Sequence, residues 1–208
     1  MVYVAPPKGK QEKKEYVTWL NHYGIEYEFL DLRKKIRGPL ILCGGADIGK
    51  DPKRDANEFK WISDALENNY PIIGICRGMQ ILNYYFGGTV STLNENIVED
   101  HKSGNFEEAV DHSGNSSQYH LVQDLDGNII TVNSRHHQYC SDIGTGFKQT
   151  HISYPMTTSI VEGISNEELG IWAVQWHPER MESEDNEYPL NMINHWQIVN
   201  NFFENKSL

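Results

Sequence analysis

Cysteine is scarce in this 208-residue chain: Cys43, Cys76 and Cys140 are the only three, and their spacing forms no paired framework. That argues against a disulfide-stapled scaffold and for a reducing compartment. No apolar run approaches the ~18 residues of a membrane span, and the opening MVYVAPPKGK lacks the long apolar segment of a signal peptide. Positive charge is in deficit as well. Lys and Arg total 18 against 29 Asp and Glu, a formal net charge of −11. A nucleic-acid groove or an anionic membrane surface needs a local basic patch, and none stands out. Internal repeats, low-complexity tracts and linkers are missing, and the length suits a single domain over 1–208. The expectation is a soluble, acidic, cytoplasmic globular protein.

The most informative stretch is PIIGICRGMQILNYYFGGTV, residues 71–90. Its short apolar opening, Ile72, Ile73, Gly74 and Ile75, predicts a buried parallel strand. Met79, Ile81, Leu82, Tyr85 and Phe86 then recur at helical spacing, and Gly87-Gly88 ends the run. Between strand and helix stands Gly-Ile-Cys-Arg-Gly, with glycine two before and two after Cys76. Strand, strained turn and helix make a nucleophile elbow with cysteine in place of serine. A Cβ at either glycine would collide with the neighbouring strand or helix. The helix start offers Cys76 unpaired N–H groups and a positive dipole end, both favouring thiolate. The plainer reading of the same residue is a buried core cysteine.

Around this centre, residues 2–5, 25–30 and 38–43 read as strands, with 25–30 alternating so that one face enters the core. Residues 11–23 and 55–69 read as helices. Asp55, with Glu58 three residues on, reads as a capping box. The order βαβ…βαβα predicts an α/β fold: a three-layer, doubly wound, mostly parallel sheet with helices on both sides, flavodoxin-like. The second half changes character and becomes an antiparallel, β-rich region. Residues 119–123 and 129–133 form a hairpin about Asp126-Gly127; 147–153 and 158–162 are further strands, and 189–203 a final helix. Residues 171–176 return to a core-strand pattern. If that strand rejoins the main sheet, His177 arrives beside Cys76 at the strands' carboxyl ends, where ligands sit in open α/β sheets.

A cysteine nucleophile requires a base, and the base an orienting group. His177-Pro178-Glu179 supplies both within three residues, although an ordinary surface histidine after a strand would read the same way. An acyl-transfer site also requires an oxyanion hole. Two sources of N–H donors present themselves: Arg77, directly after the nucleophile, and the Gly44-Gly45 turn at a neighbouring strand end.

Together these residues resemble the class I glutamine amidotransferase-like proteins, and within them the γ-glutamyl-γ-aminobutyrate hydrolase group, peptidase family C26. The resemblance runs from about Leu40 to Arg180, through LILCGGADIG, DPKRDANEF, the 71–90 stretch, VNSRHHQ and GIWAVQWHPER. Arg54-Asp55 with Glu58, the GICRGMQ wording and residues 132–138 look most like the stand-alone γ-glutamyl hydrolases. The likeness implies Cys76 as nucleophile, His177 as base, Glu179 as its orienter, and the backbone of Gly45 and Arg77 as oxyanion donors. It also implies that Gly44, Gln80 and the loop Ser134, Arg135, His136, His137 and Gln138 hold the glutamyl α-amino and α-carboxylate groups. The reaction so implied is two-step acyl transfer through a γ-glutamyl thioester, releasing glutamate and an amine, with neither metal nor organic cofactor. His136-His137 lacks the spacing of a zinc site. Two regions depart from the family pattern: the short amino-terminal part and residues 92–117. Both border the family's pocket, so the amine side of the substrate stays open.

Three readings follow. One is a free-standing hydrolase of a small-molecule γ-glutamyl amide. The second is a glutaminase subunit feeding ammonia to a separate synthase partner, and the third a silent binding module on the same fold. The partner expected besides a synthase is a second copy of the chain in a homodimer, although no exposed apolar stripe stands out. The acidic run 182–187 reads as a solvated loop, and Cys43 and Cys140 as small core residues.

Overall fold

The structure, a computed structural model, describes residues 1–31, 34–94, 109–110, 116–154 and 160–180. Its first part alternates strand and helix: β1 (Val2–Val4), α1 (Lys10–His22), β2 (Tyr27–Phe29), β3 (Leu40–Leu42), α2 (Pro52–Glu67), β4 (Ile72–Ile75) and α3 (Arg77–Tyr85). Strands then dominate: β5 (Thr89–Thr92), β6 (Ala109–Val110), β7 (Ser116–Asp124), β8 (Ile129–Ser134), β9 (Gln138–Asp142), β10 (Lys148–Tyr154), β11 (Val161–Asn166) and β12 (Ile171–Val174). A 3-10 turn at Pro178–Arg180 follows.

The centre of the sheet is parallel. β2, β1, β3, β4 and β12 lie side by side in that order, each pairing parallel. β12 then pairs antiparallel with β11, and the sheet continues through β10 and β7. The β7–β8 hairpin forms as the Asp126-Gly127 signal predicts. Asp124 Oδ1 accepts from the backbone N–H groups of Asp126 and Asn128 at 2.9 and 2.8 Å, and Gly127 takes φ +85°. β12 is the decisive strand, because its return beside β4 carries the chain's last functional segment to the elbow.

The period-2 pleat sends successive residues to opposite faces, and both faces are covered. Val2, Val4, Ile41, Ile73 and Ile75 pack with Tyr16, Trp19 and Leu20 of α1. Tyr3, Leu40, Leu42 and Ile72 pack on the other face with Trp61 and Ile62 of α2 and Met79 and Leu82 of α3. Each such side chain withdrawn from water contributes about 1.5–3 kcal/mol, which is why these strands need no polar face. A third, smaller cluster, Val122, Ile130, Val132, Val174 and Trp176, seats the hairpin on β12.

Three expected boundaries change. α2 begins at Pro52 and is capped by Asp51, whose carboxylate accepts the Arg54 N–H at 3.1 Å. Asp55 is therefore not the cap, nor Glu58 its capping-box partner. Proline at the first helical position and aspartate before it make a stronger start, because one lacks the orphan N–H and the other satisfies one. The strand expected over 25–30 shortens to β2, an edge strand whose three residues are all half-buried rather than presenting one face to the core. The strand expected over 158–162 begins at Val161 and runs on to Asn166. The helix expected over 189–203, the acidic run 182–187 and residues 95–108 lie outside the described residues.

Candidate active site

Cys76 sits between β4 and α3 with φ +52° and ψ −105°, a backbone that non-glycine residues rarely adopt. The flanking glycines make that turn feasible. A Cβ on Gly74 would come within 2.7 Å of the Gly78 backbone, and one on Gly78 would run into the Leu42 backbone of β3. The Cys76 N–H donates to Val174 O at 2.7 Å, extending the β4–β12 pairing one residue past β4, into the elbow itself. This pairing puts Cys76 one residue beyond Ile75 and His177 three beyond Val174, at the same sheet edge.

His177 and Cys76 converge over Gly44. From one point, the place a Gly44 Cβ would occupy, His177 Cε1 lies at 2.9 Å and Cys76 Cβ at 3.8 Å. A Cβ at residue 44 would press on the imidazole, which would have to shift. Glu179 Oε1 lies 2.7 Å from His177 Nδ1, so that nitrogen carries the proton toward the carboxylate and Nε2 is left for the sulfur. The 3-10 turn brings Glu179 back under the ring, with Arg180 N donating to His177 O at 3.1 Å. Arg180 in turn pairs with Glu15 of α1 at 3.0 Å. The backbone of His177 is gripped by Asn133 from β8: its N–H donates to Asn133 Oδ1 at 2.7 Å, and Asn133 Nδ2 donates to its carbonyl at 2.8 Å.

The electrostatics agree with the geometry. Burial pushes the Cys76 thiol up, but the His177 imidazole, by charge and hydrogen bond, and His136 behind it bring it below its ordinary value. Burial works against a charged His177, yet Glu179 and the Cys76 sulfur together raise it to about 9. Burial likewise opposes the Glu179 carboxylate, and the His177 charge holds it down. Both shifts run toward the charged forms, thiolate on Cys76 and imidazolium on His177.

A second set of contacts reaches the sulfur through amides. Gln175 Nε2 donates to Cys76 Sγ at 3.5 Å, while Gln175 Oε1 accepts from Gln80 Nε2 at 3.2 Å. Gln80 Nε2 also donates to Gln138 O at 3.1 Å. Both amide protons of the buried Gln80 are thus engaged, which leaves its Oε1 as the atom available to a ligand. Gln175 and Asn133 are contributors that residue-by-residue reading overlooked. Gln175 stands inside QWHPE and Asn133 inside VNSRHHQ, so both motifs held the signal.

The 134–138 loop alternates as an extended chain does. Ser134 and His136 are buried, Arg135 and His137 exposed, and Gln138 half-buried. The two adjacent histidines accordingly have different surroundings. His136 Nδ1 faces Gln138 O at 2.9 Å and its Nε2 lies 3.5 Å from the fully buried Glu162, whose other oxygen lies 3.6 Å from His120. Burial lowers His136, but Glu162 more than restores it, so it is raised. His137 reaches Asp47, in the loop after β3, at 3.1 Å.

At the other rim, the Gly44 N–H donates to Tyr16 Oη at 3.1 Å and is spent. The Gly45 and Arg77 N–H groups have no hydrogen-bond partner among the described residues. Arg77 stands at the first position of α3, where helical N–H groups point outward unpaired. Among the described residues no three His, Cys, Asp or Glu side chains are grouped to hold a metal ion, and no helix is long and apolar enough to cross a membrane.

This architecture is shared with solved structures. One described as a glutamine amidotransferase of Thermotoga maritima superposes with a TM-score of 0.63 over 96% of this chain and 82% of that one, at 16% identity. The fold is that of the class I glutamine amidotransferase-like proteins. The family model for Peptidase C26 matches residues 45–179, and the chain belongs to that family. The glutamine amidotransferase-like protein YvdE of Lactococcus lactis is 36% identical over 157 residues, 67% of this chain and 65% of that protein. The glutamine-hydrolysing GMP synthase of Dictyostelium discoideum is 36% identical over 146 residues, 67% of this chain but 18% of that protein. The chain spans 65%, 61% and 66% of the length of three curated relatives it matches.

Proposed function

We propose that this chain is a cysteine hydrolase that cleaves the γ-glutamyl amide bond of a small metabolite, releasing glutamate and an amine. The observation that carries this reading is the convergence of Cys76 and His177 over Gly44 with Glu179 on the far ring nitrogen, in a setting that lowers one buried thiol below its ordinary value.

Cys76 Sγ attacks the γ-carbonyl carbon and a C–S bond forms. The carbonyl electrons move onto oxygen, which the N–H groups of Gly45 and Arg77 stabilise. One such donor is typically worth ~3–4 kcal/mol in the transition state. His177, already protonated at Nε2, gives that proton to the amine nitrogen as the C–N bond breaks, leaving a γ-glutamyl thioester. Water then loses a proton to His177 and attacks the thioester, expelling the thiolate and completing the hydrolysis. Glu179 holds the imidazole tautomer throughout. Gln80 Oε1, Ser134 Oγ and Arg135 at the pocket wall bind the α-amino and α-carboxylate groups, with Gly44, His136, His137 and Gln138 shaping that wall. The reaction asks for no metal or organic cofactor, and we place it in the cytoplasm.

A second reading, a glutaminase subunit passing ammonia to a synthase, is supported by the match to a glutamine-hydrolysing GMP synthase. One experiment addresses both: a screen of γ-glutamyl amides, glutamine included, for glutamate release by the isolated chain. Under the first reading wild type turns over at least one amide without a partner, and Cys76→Ala turns over none. Slow release from glutamine alone, accelerated by a synthase, selects the second. Equal release by wild type and Cys76→Ala places the reactive group elsewhere.

A further inference from the structure

Arg54, Asp55 and Glu58 are singled out by the sequence, yet the reaction above gives them no task. They lie on α2, remote in sequence from the nucleophile, but their side chains form a part-buried network that ends on both halves of the oxyanion site. Arg54 Nη2 donates to two successive carbonyls, Cys43 O at 3.1 Å and Gly44 O at 2.9 Å. Its Nε donates to Glu58 Oε1 at 2.8 Å. The other oxygen of Glu58, a fully buried carboxylate, accepts from Arg77 Nη1, and Arg77 Nη2 donates to Asp55. Asp55 also accepts the Gly49 N–H at 2.8 Å, tying down the far end of the same loop.

The consequence follows from peptide geometry. A trans peptide is planar, with its C=O and N–H pointing in opposite directions. Holding the Gly44 carbonyl against the Arg54 guanidinium therefore turns the Gly45 N–H away from it. The guanidinium also fills the space a Cβ on Gly45 would need, and Gly45 takes φ +150°, a conformation open to glycine. A Gly-Gly pair is otherwise the most easily rotated link in a chain. An unanchored peptide would lose the donor by turning through half a circle at little steric cost.

We propose that Arg54 is the positioning residue of the oxyanion site: by holding the Cys43 and Gly44 carbonyls it fixes the Gly45 N–H, and through Glu58 it is aligned with Arg77, whose own N–H is the second donor. This rests on the reading that Gly45 and Arg77 stabilise the oxyanion. Arg54 touches no reacting atom. Its contribution therefore belongs to the step in which negative charge builds on oxygen, and to no earlier one.

The test compares Arg54→Met and Arg54→Lys with wild type in two assays: steady-state glutamate release from a γ-glutamyl amide, and alkylation of Cys76 by iodoacetamide, a reaction that forms no oxyanion. Arg54→Met lowers kcat about 10²–10³-fold, the loss expected for one oxyanion donor. KM and the Cys76 alkylation rate stay within about threefold. Arg54→Lys keeps a cation able to reach one carbonyl and loses about tenfold less. Should Arg54→Met fail to fold, the lysine variant carries the same comparison. Undiminished kcat in a folded variant, or a loss of turnover matched by an equal loss of alkylation, overturns the inference alone. Absence of any wild-type turnover overturns the functional reading and this inference with it.

Discussion

Two cysteines stand at the carboxyl ends of neighbouring parallel strands, and they have opposite characters. Cys43 follows β3 and Cys76 follows β4; both are buried, and both pack in the same apolar cluster. Cys43 is pushed well above its ordinary value by burial, with the Glu179 charge adding to the effect. Cys76 suffers the same burial and the same carboxylate but is lowered, because an imidazolium lies against it. Burial alone therefore makes a thiol inert, and the strand end by itself confers nothing. What separates the pair is the left-handed turn at Cys76, which lifts its sulfur out of the sheet toward His177 and Gln175.

The largest test of this contrast removes its cause. In His177→Asn, glutamate release falls by about 10³-fold or more, in line with the loss of a general acid–base group. Alkylation of Cys76 by iodoacetamide at pH 7 slows by at least about tenfold, toward the few per cent ionisation of an ordinary thiol. Cys43 and Cys140, the latter pushed up to about 12 by burial, stay unlabelled in both proteins. Rapid alkylation surviving in His177→Asn would assign the activated thiol to the turn alone.

Acidity supplies the next test. His177 is raised from its usual 6.5 to about 9 in the folded protein, so its stabilising contribution is complete below about pH 6.5 and disappears as pH climbs through about 9. Cys76 has the opposite sign: its thiolate contributes above the ordinary thiol range, and that contribution is lost as pH falls through its lowered value. Between pH 7 and 9 the two contributions oppose each other, so the wild-type melting temperature changes little, whereas in Cys76→Ala, where Glu179 still raises His177, it declines as pH rises. Identical slopes in the two proteins would dissolve the ion pair.

The smallest effect belongs to Glu162. It acts on the thiol only through His136, which ranks behind His177 among the influences lowering Cys76. Glu162→Gln slows Cys76 alkylation at pH 7 by no more than about threefold, because His177 remains the main counter-charge. A loss as large as that of His177→Asn would promote His136 from bystander to partner.

Part of this arrangement is legible in the sequence. The elbow is a local object: Gly74, Cys76 and Gly78 lie within five residues, and the steric demand that selects glycine acts over that distance. The pairing of Glu179 with His177 is equally local, two residues apart on one tight turn. The start of α2 was misread for a local reason too. Asp51-Pro52 competed with Asp55 for the cap and won, which released Asp55 and Glu58 to bind arginines.

What residue order determined, then, is each piece whose partners are neighbours in the chain: the strained turn, the His-Pro-Glu segment, and the alternation that buries strands under helices on both faces. Only the folded chain decided which pieces meet. Val174 pairing with Ile75 across 99 positions sets imidazole against sulfur, Asn133 grips His177 from a different hairpin, and Arg54 reaches the carbonyls of a strand end eleven residues behind it. Those contacts depend on which strand edges find one another. That choice is made by the summed burial of many side chains, and no short motif carries it.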